Sequence, residues 1–231
     1  FDTETTGLDE LSAELVGIAF SWKKGTGYYL PFPKDRTACE TKLANLSPFF
    51  QSPTIEKVGH NLKYDIKVLQ QYGMAVHTPI FDTMIAHYLI NPDMRHNMDI
   101  LAETYLGYKP QPITELIGKK GSNQGSMRDV TIEKQTEYAV EDADITLQLK
   151  NYFVSELASD EVVDLFTNIE LPLVNVLAAI ESAGIRIDVD YLDKLAVQFQ
   201  KETAVVEDRI YEQAGERFNL ASPKQLGTVL S

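Results

Sequence analysis

Asp2 and Glu4, in the run Asp2-Thr3-Glu4-Thr5-Thr6-Gly7-Leu8, are the first residues of this chain whose types and spacing could do chemistry. Side chains alternate along an extended segment, so the two carboxylates point to one side. Carboxylates held side by side at neutral pH repel, and one is normally protonated or displaced. A divalent cation between them removes the conflict, and a site of hard oxygen ligands suits Mg²⁺ or Mn²⁺. Acidic pairs at this spacing are also common on solvated strand faces, so the pair alone is only half of a metal site.

Two further carboxylates extend it. In His60-Asn61-Leu62-Lys63-Tyr64-Asp65, residues 61 and 65 stand at i and i+4 and share a helix face, with Asn61 placed as the helix cap. The mouth of such a helix offers free N–H groups that suit phosphate. In Tyr138-Ala139-Val140-Glu141-Asp142-Ala143-Asp144, the same spacing aims the Tyr138 phenol and the Asp142 carboxylate together. Glu141 and Asp144 fall on other faces and read as solvated or capping charges.

Asp2, Glu4, Asp65 and Asp142 with Tyr138 are the parts of a two-metal phosphodiesterase, in which paired ions stabilise the attacking and leaving oxygens of an in-line displacement. Asp2, Glu4 and Asp142 would hold one ion, and Asp2 and Asp65 the other. A phenol is a poor base at pH 7, so Tyr138 is assigned to positioning the attacking water.

The elements that must position these groups follow from pattern. The opening segment, residues 15–22 and residues 28–32 read as strands joined through a turn at Lys23-Lys24-Gly25-Thr26-Gly27. A short helix is expected over 41–50, a buried strand over 57–60 and a helix over 62–72 closed by Gly73. A brief strand at Ile80-Phe81 precedes a helix over 84–90, capped by Asp82-Thr83 and ended by Asn91-Pro92. Another helix covers 98–106. Residues 109–129 are loop-rich, and their Lys119, Lys120 and Arg128 face either phosphate or solvent. One long helix is expected from 132 to 157. Strands first, then strands alternating with helices, imply an α/β or α+β sheet domain.

The texture then becomes wholly helical, with apolar spacing over 162–182, a kink at Pro172, an interruption at Gly184 and a charged amphipathic helix over 189–214. Ser222-Pro223 opens another helix. The expected division is therefore 1–157 and 158–231. Both ends look cut, the first inside a strand and the last inside a helix.

Composition narrows the partners. A net charge of −13 excludes general electrostatic attraction to nucleic acid, so any phosphates must be held by metal ions and a few placed donors. One cysteine, Cys39, excludes an intramolecular disulfide and fits a reducing, cytoplasmic setting. No apolar run is expected to approach the roughly 18 residues that cross a bilayer. His60, His77, His87 and His96 lack ligand spacing and read as structural or surface residues.

The segments at 2–8, 60–65 and 138–144 resemble the three motifs of the tyrosine-type DEDD 3′–5′ exonucleases, the match being closest to the proofreading domain of bacterial family A polymerases such as DNA polymerase I. Asp82-Thr83-Met84 and Met98-Asp99-Ile100-Leu101-Ala102 also resemble stretches between those motifs, and 169–173, 184–188 and 218–226 resemble the start of the polymerase domain and its thumb. The resemblance implies a ribonuclease H-like mixed sheet flanked by helices. It also implies two divalent ions and a single-stranded or frayed DNA 3′ end as substrate. The remaining polymerase domain would lie on the same chain, no polymerase activity is expected from these residues, and a monomer is expected. By motif position Leu8 resembles the apolar wedge against the terminal bases, and Asn61 and Tyr64 resemble residues near the substrate. The further apolar contact implied near residue 114 is not evident, because Thr114 stands there. Two other readings are a ribonuclease D-like exoribonuclease and a catalytically silent DNA-holding domain.

Overall fold

The computed structural model describes residues 1–119, 121 and 124–230, so the expectation for Lys120 lies outside the described residues. Strands β1 (Asp2–Thr5), β2 (Leu15–Lys23) and β3 (Thr26–Pro31) form an antiparallel sheet in which Glu4 faces Gly17 across the ladder. Strands β4 (Lys57–Gly59) and β5 (Ile80–Asp82) pair in parallel. The Phe1 nitrogen donates to the Val58 carbonyl at 2.7 Å, which brings the edge of β1 alongside β4. The architecture is the expected mixed α/β fold.

Between the sheets run α1 (Arg36–Ala44) and α2 (Ser47–Phe50). The single helix expected over 41–50 is thus two helices, and the first begins earlier because the Asp35 carboxylate accepts from the Ala38 N–H at 2.8 Å. Helix α3 (Leu62–Gln71) starts after Asn61, whose φ of 64° is left-handed and whose side chain makes no capping bond. The cap comes instead from Asp82, which accepts from the Asn61 N–H at 3.2 Å and the Leu62 N–H at 2.7 Å. The same carboxylate caps α4 (Thr83–Ile90) through the Met84 and Ile85 N–H groups. One buried acid therefore starts two helices, and the expected capping role of Asn61 is corrected.

Helix α5 (Met98–Leu101) continues as a widened turn over Ala102–Leu106. A four-residue α6 (Thr114–Ile117) interrupts the glycine- and proline-rich loop, and α7 (Ile132–Ser159) follows. Helix α7 crosses β2 and β3 and buries Ala139, Asp142, Ala143, Ile145, Leu149 and Phe153. Each large apolar side chain buried this way contributes about 1.5–3 kcal/mol.

Helix α8 (Val163–Leu165) passes through a widened turn, Phe166–Glu170, into α9 (Leu171–Ala183). Pro172 lacks the N–H that would close the preceding turn, so the ladder opens where a kink was expected. This run buries Phe166, Val174 and Ala178, and Glu181 at its end pairs with Lys63 and Lys67 of α3. The compact unit accordingly extends from Phe1 to Ala183, and the second unit is Gly184–Ser231. The expected boundary at 157/158 lies inside the first compact unit, and the second begins at Gly184, where the backbone turns at a φ of 68°. By length and composition Val163–Ala183 could also cross a membrane, which corrects the expectation that no run is so long and apolar. Its charges are few, but Glu181 is ion-paired and three of its apolar side chains lie in the domain core.

The second unit holds α10 (Val189–Ala214) and α11 (Pro223–Leu230). Asp188 caps α10 by accepting from the Tyr191 N–H at 2.9 Å, and Gly215 ends it at a φ of 75°.

Candidate active site

The alternation of β1 carries Asp2 and Glu4 to one side, and α7 crosses that side with Asp142. One oxygen from each of the three carboxylates lies within 4.8 Å of the others. Glu4 and Asp142 are buried, and Glu4 Oε1 has no hydrogen-bond partner among the described residues. Gly17, opposite Glu4 across the ladder, leaves room for the Tyr29 ring. A Cβ there would meet the Tyr29 hydroxyl at 2.0 Å. Tyr29 is held in turn by donating to Gln135 Oε1 of α7 at 2.9 Å.

Asp65 reaches the same cleft from the first turn of α3 but stands outside that tight trio. Its Oδ1 accepts from the Thr3 N–H at 3.1 Å and from the Thr3 hydroxyl. Thr3 sits between the two acids of β1, so these bonds lock α3 onto the strand beside Asp2.

The acids strain one another electrically. Burial, reinforced by Asp142, pushes Asp2 up to about 7. Burial likewise pushes Asp142 up to about 7, with Glu141 and Asp99 adding to the rise and the Tyr138 hydroxyl opposing it. Glu4 and Asp65 are raised well above the usual carboxylate range by burial first and then by Asp2. Three buried carboxylates and the half-buried Asp2, mutually destabilised and with an orphaned oxygen, are a donor set that fits a hard divalent cation. Tyr138, one turn before Asp142, lines the cleft, and burial beside Asp142, Glu4 and Asp2 keeps its phenol protonated.

The cleft has a volume of about 600 Å³, and Leu8, Asn61 and Tyr64 all line it. Leu8 is 75% exposed. Asn61, freed from capping by Asp82, leaves its side chain at the mouth of α3. Tyr64 donates its hydroxyl to the Gly7 carbonyl at 2.6 Å and sits 2.6 Å from the Thr5 hydroxyl, so it holds the loop that presents Leu8.

Sequence reasoning missed several lining residues, Ile113, Ile117 and His60 among them. Ile113, just before the short helix α6, and Ile117 at its end supply apolar surface on either side of the unpromising Thr114. His60 also lines the cleft. Its Nδ1 lies 2.9 Å from the Thr83 hydroxyl, its Nε2 is buried without a partner among the described residues, and burial lowers it to about 4. Glu141 and Asp144 sit elsewhere. Glu141 accepts from the Tyr108 hydroxyl at 2.5 Å and the Gln111 N–H at 2.8 Å, and Asp144 accepts from the Gly25 N–H at 2.8 Å. Both anchor turns to α7.

The family model for the 3′–5′ exonuclease of A-type DNA polymerases matches residues 1–158. The chain belongs to this 3′–5′ exonuclease family. Similar curated proteins include DNA polymerase I of Pseudomonas aeruginosa, 36% identical over all of this chain and 26% of that protein. DNA polymerase I of Borreliella burgdorferi is 37% identical over 99% of this chain and 25% of its own length. The chain thus spans about a quarter of these relatives, and the similarity extends past residue 158 to its end.

Among solved structures, the POL domain of Pol1 from M. smegmatis, complexed with DNA primer-template and dNTP, superposes with a TM-score of 0.77. It is 26% identical and covers 94% of this chain and 34% of that one. Brucella melitensis NrnC with bound Mg²⁺ superposes with a TM-score of 0.61 at 22% identity, covering 80% and 87% of the two chains, and shares the fold.

Proposed function

We propose that this exonuclease removes mispaired nucleotides from DNA 3′ ends by phosphodiester hydrolysis, as one part of a longer, monomeric, cytoplasmic DNA polymerase I. The observation that carries this reading is the convergence of Asp2, Glu4 and Asp142 in one cleft, with Asp65 on the same wall. Asp2, Glu4 and Asp142 would hold one divalent ion, and Asp2 and Asp65 a second, neutralising phosphate charge and making a water more acidic.

The chain's own groups do the rest. Tyr138, kept protonated, hydrogen-bonds and orients the attacking water rather than taking its proton. Leu8 on one wall and Ile113 and Ile117 on the other offer apolar contact to unpaired terminal bases. Asn61 and Tyr64 stand beside the strand as it enters. A chain of net charge −13 gains little from general attraction to DNA, so the remaining polymerase domain supplies most of the binding.

The similarity of the whole chain to DNA polymerase I, helices beyond residue 158 included, favours this over a ribonuclease D-like enzyme. Retention of all four carboxylates and Tyr138 favours it over a silent DNA-holding domain.

The test is a digestion assay with 3′-labelled single-stranded DNA, mismatched duplex, paired duplex and RNA, with Mg²⁺, with Mn²⁺ and with chelator. The reading expects divalent-dependent release of nucleotide 5′-monophosphates, with single-stranded and mismatched ends cut faster than paired ones. It also expects no primer extension by this chain. Preference for RNA would favour the exoribonuclease, and digestion unaffected by chelator would overturn the metal assignment.

A further inference from the structure

Leu8 is exposed and packs on little, so its place over the cleft is set by the backbone of the loop between β1 and β2. The base of that loop is closed by the Thr6 N–H donating to the Glu14 carbonyl at 3.0 Å and the Glu14 N–H donating to the Thr6 hydroxyl at 2.9 Å. Its far side leans on α3. Lys67 occupies a position between the fully buried Ile66 and Val68, and its side chain is only 4% exposed. Its ammonium pairs with Glu10 of the loop and, at 2.9 Å, with Glu181 of α9. Glu181 is held a second time by Lys63 at 2.6 Å. One turn further along α3, the Gln71 amide donates to the Glu10 carbonyl.

A nearly buried ammonium cannot be left unpaired without a large desolvation cost, so it commits both carboxylates to fixed positions. We infer that Lys67 is a positioning residue for the exonuclease, holding the Leu8 loop against α3 through Glu10 and tying that loop to α9 through Glu181. This deepens the proposed function and rests on it, because the loop matters only if Leu8 meets the substrate. Loss of the pair frees the Glu10 side chain, and the loop, still tied at Gly7 by Tyr64 and at the Glu10 carbonyl by Gln71, loosens so that the Leu8 side chain no longer meets the terminal base in one geometry. Small misplacements of such positioning groups are costly.

The test compares the parent with Lys67→Met, Lys67→Arg and the milder Glu181→Gln. Hydrogen exchange of amides 7–13 is read without metal or DNA, and kcat and KM are read on single-stranded DNA. Lys67→Met is expected to speed exchange about tenfold and to raise KM about tenfold, leaving kcat within about twofold. Lys67→Arg restores both, Glu181→Gln gives a smaller change in the same direction, and in a Leu8→Ala background Lys67→Met adds nothing to KM. Unchanged exchange, or an equal KM effect with Leu8 removed, overturns the inference. A parent without nuclease activity would strike the proposed function instead, and the exchange data would still decide whether Lys67 holds the loop.

Discussion

Asp65 accepts two hydrogen bonds from Thr3, the residue between Asp2 and Glu4, one from its backbone N–H and one from its hydroxyl. Helix α3 and strand β1 are thereby joined at the site itself, and one Asp65 oxygen is committed while the other remains for a ligand. Thr3→Val keeps the shape and removes the hydroxyl. An intramolecular hydrogen bond is worth about 0.5–1.5 kcal/mol net. The variant is expected to lose stability of that order and to lose activity by more than its unfolding explains. Denaturant titration beside single-turnover digestion checks this.

The raised carboxylates give a signed pH effect. Asp142 titrates near 7 in the folded protein and near 3.9 when unfolded. Between those values the folded state binds the extra proton, so its contribution to stability falls as pH rises from about 4 to about 7. In chelator, Asp142→Asn should melt higher than the parent at pH 8, with the gain shrinking toward pH 4. Saturating Mn²⁺ should reverse the order at pH 8, because a ligand bound only by the folded parent stabilises it. Thermal melts at several pH values, with and without Mn²⁺, read both signs.

Tyr138→Phe removes a hydroxyl that burial keeps protonated. If its work is orienting water, turnover falls roughly 10²-fold while Mn²⁺ affinity stays near that of the parent. The rate should keep the parent's pH dependence, because a phenol that never ionises contributes no titration step. Rapid-quench digestion over pH 6–9 with Mn²⁺ titration separates these outcomes.

Leu8→Ala and Ile113→Ala act on the two walls of the cleft. Base stacking and apolar contact are worth about 1–3 kcal/mol per base. Each variant is expected to raise KM on single-stranded DNA about tenfold and to narrow the preference for mismatched over paired ends. Steady-state kinetics on the two duplexes measures the preference directly.

The candidate site was readable where it rested on local geometry. Alternation along a strand is enough to put Asp2 and Glu4 on one side, and one helical turn is enough to align Tyr138 with Asp142. What escaped was set by residues distant in sequence. Asn61 reads as a helix cap, but the Asp82 carboxylate, brought in by the parallel pairing of β4 and β5, takes that role. Ile117 ends, and Ile113 immediately precedes, a four-residue helix within a glycine- and proline-rich loop, too short to show a period. The change to all-helical texture after residue 157 is real, but α9 still belongs to the first unit because Val174 and Ala178 pack into its core.

The claim beneath all of this is that the acids of β1, α3 and α7 exist to hold cations. Anomalous diffraction from crystals soaked in Mn²⁺ tests it most directly. The account predicts one peak bounded by Asp2, Glu4 and Asp142, and a second between Asp2 and Asp65 that fills when nucleotide 5′-monophosphate is added. A cleft without manganese at any concentration that supports digestion, or manganese bound only at other acids, would contradict it.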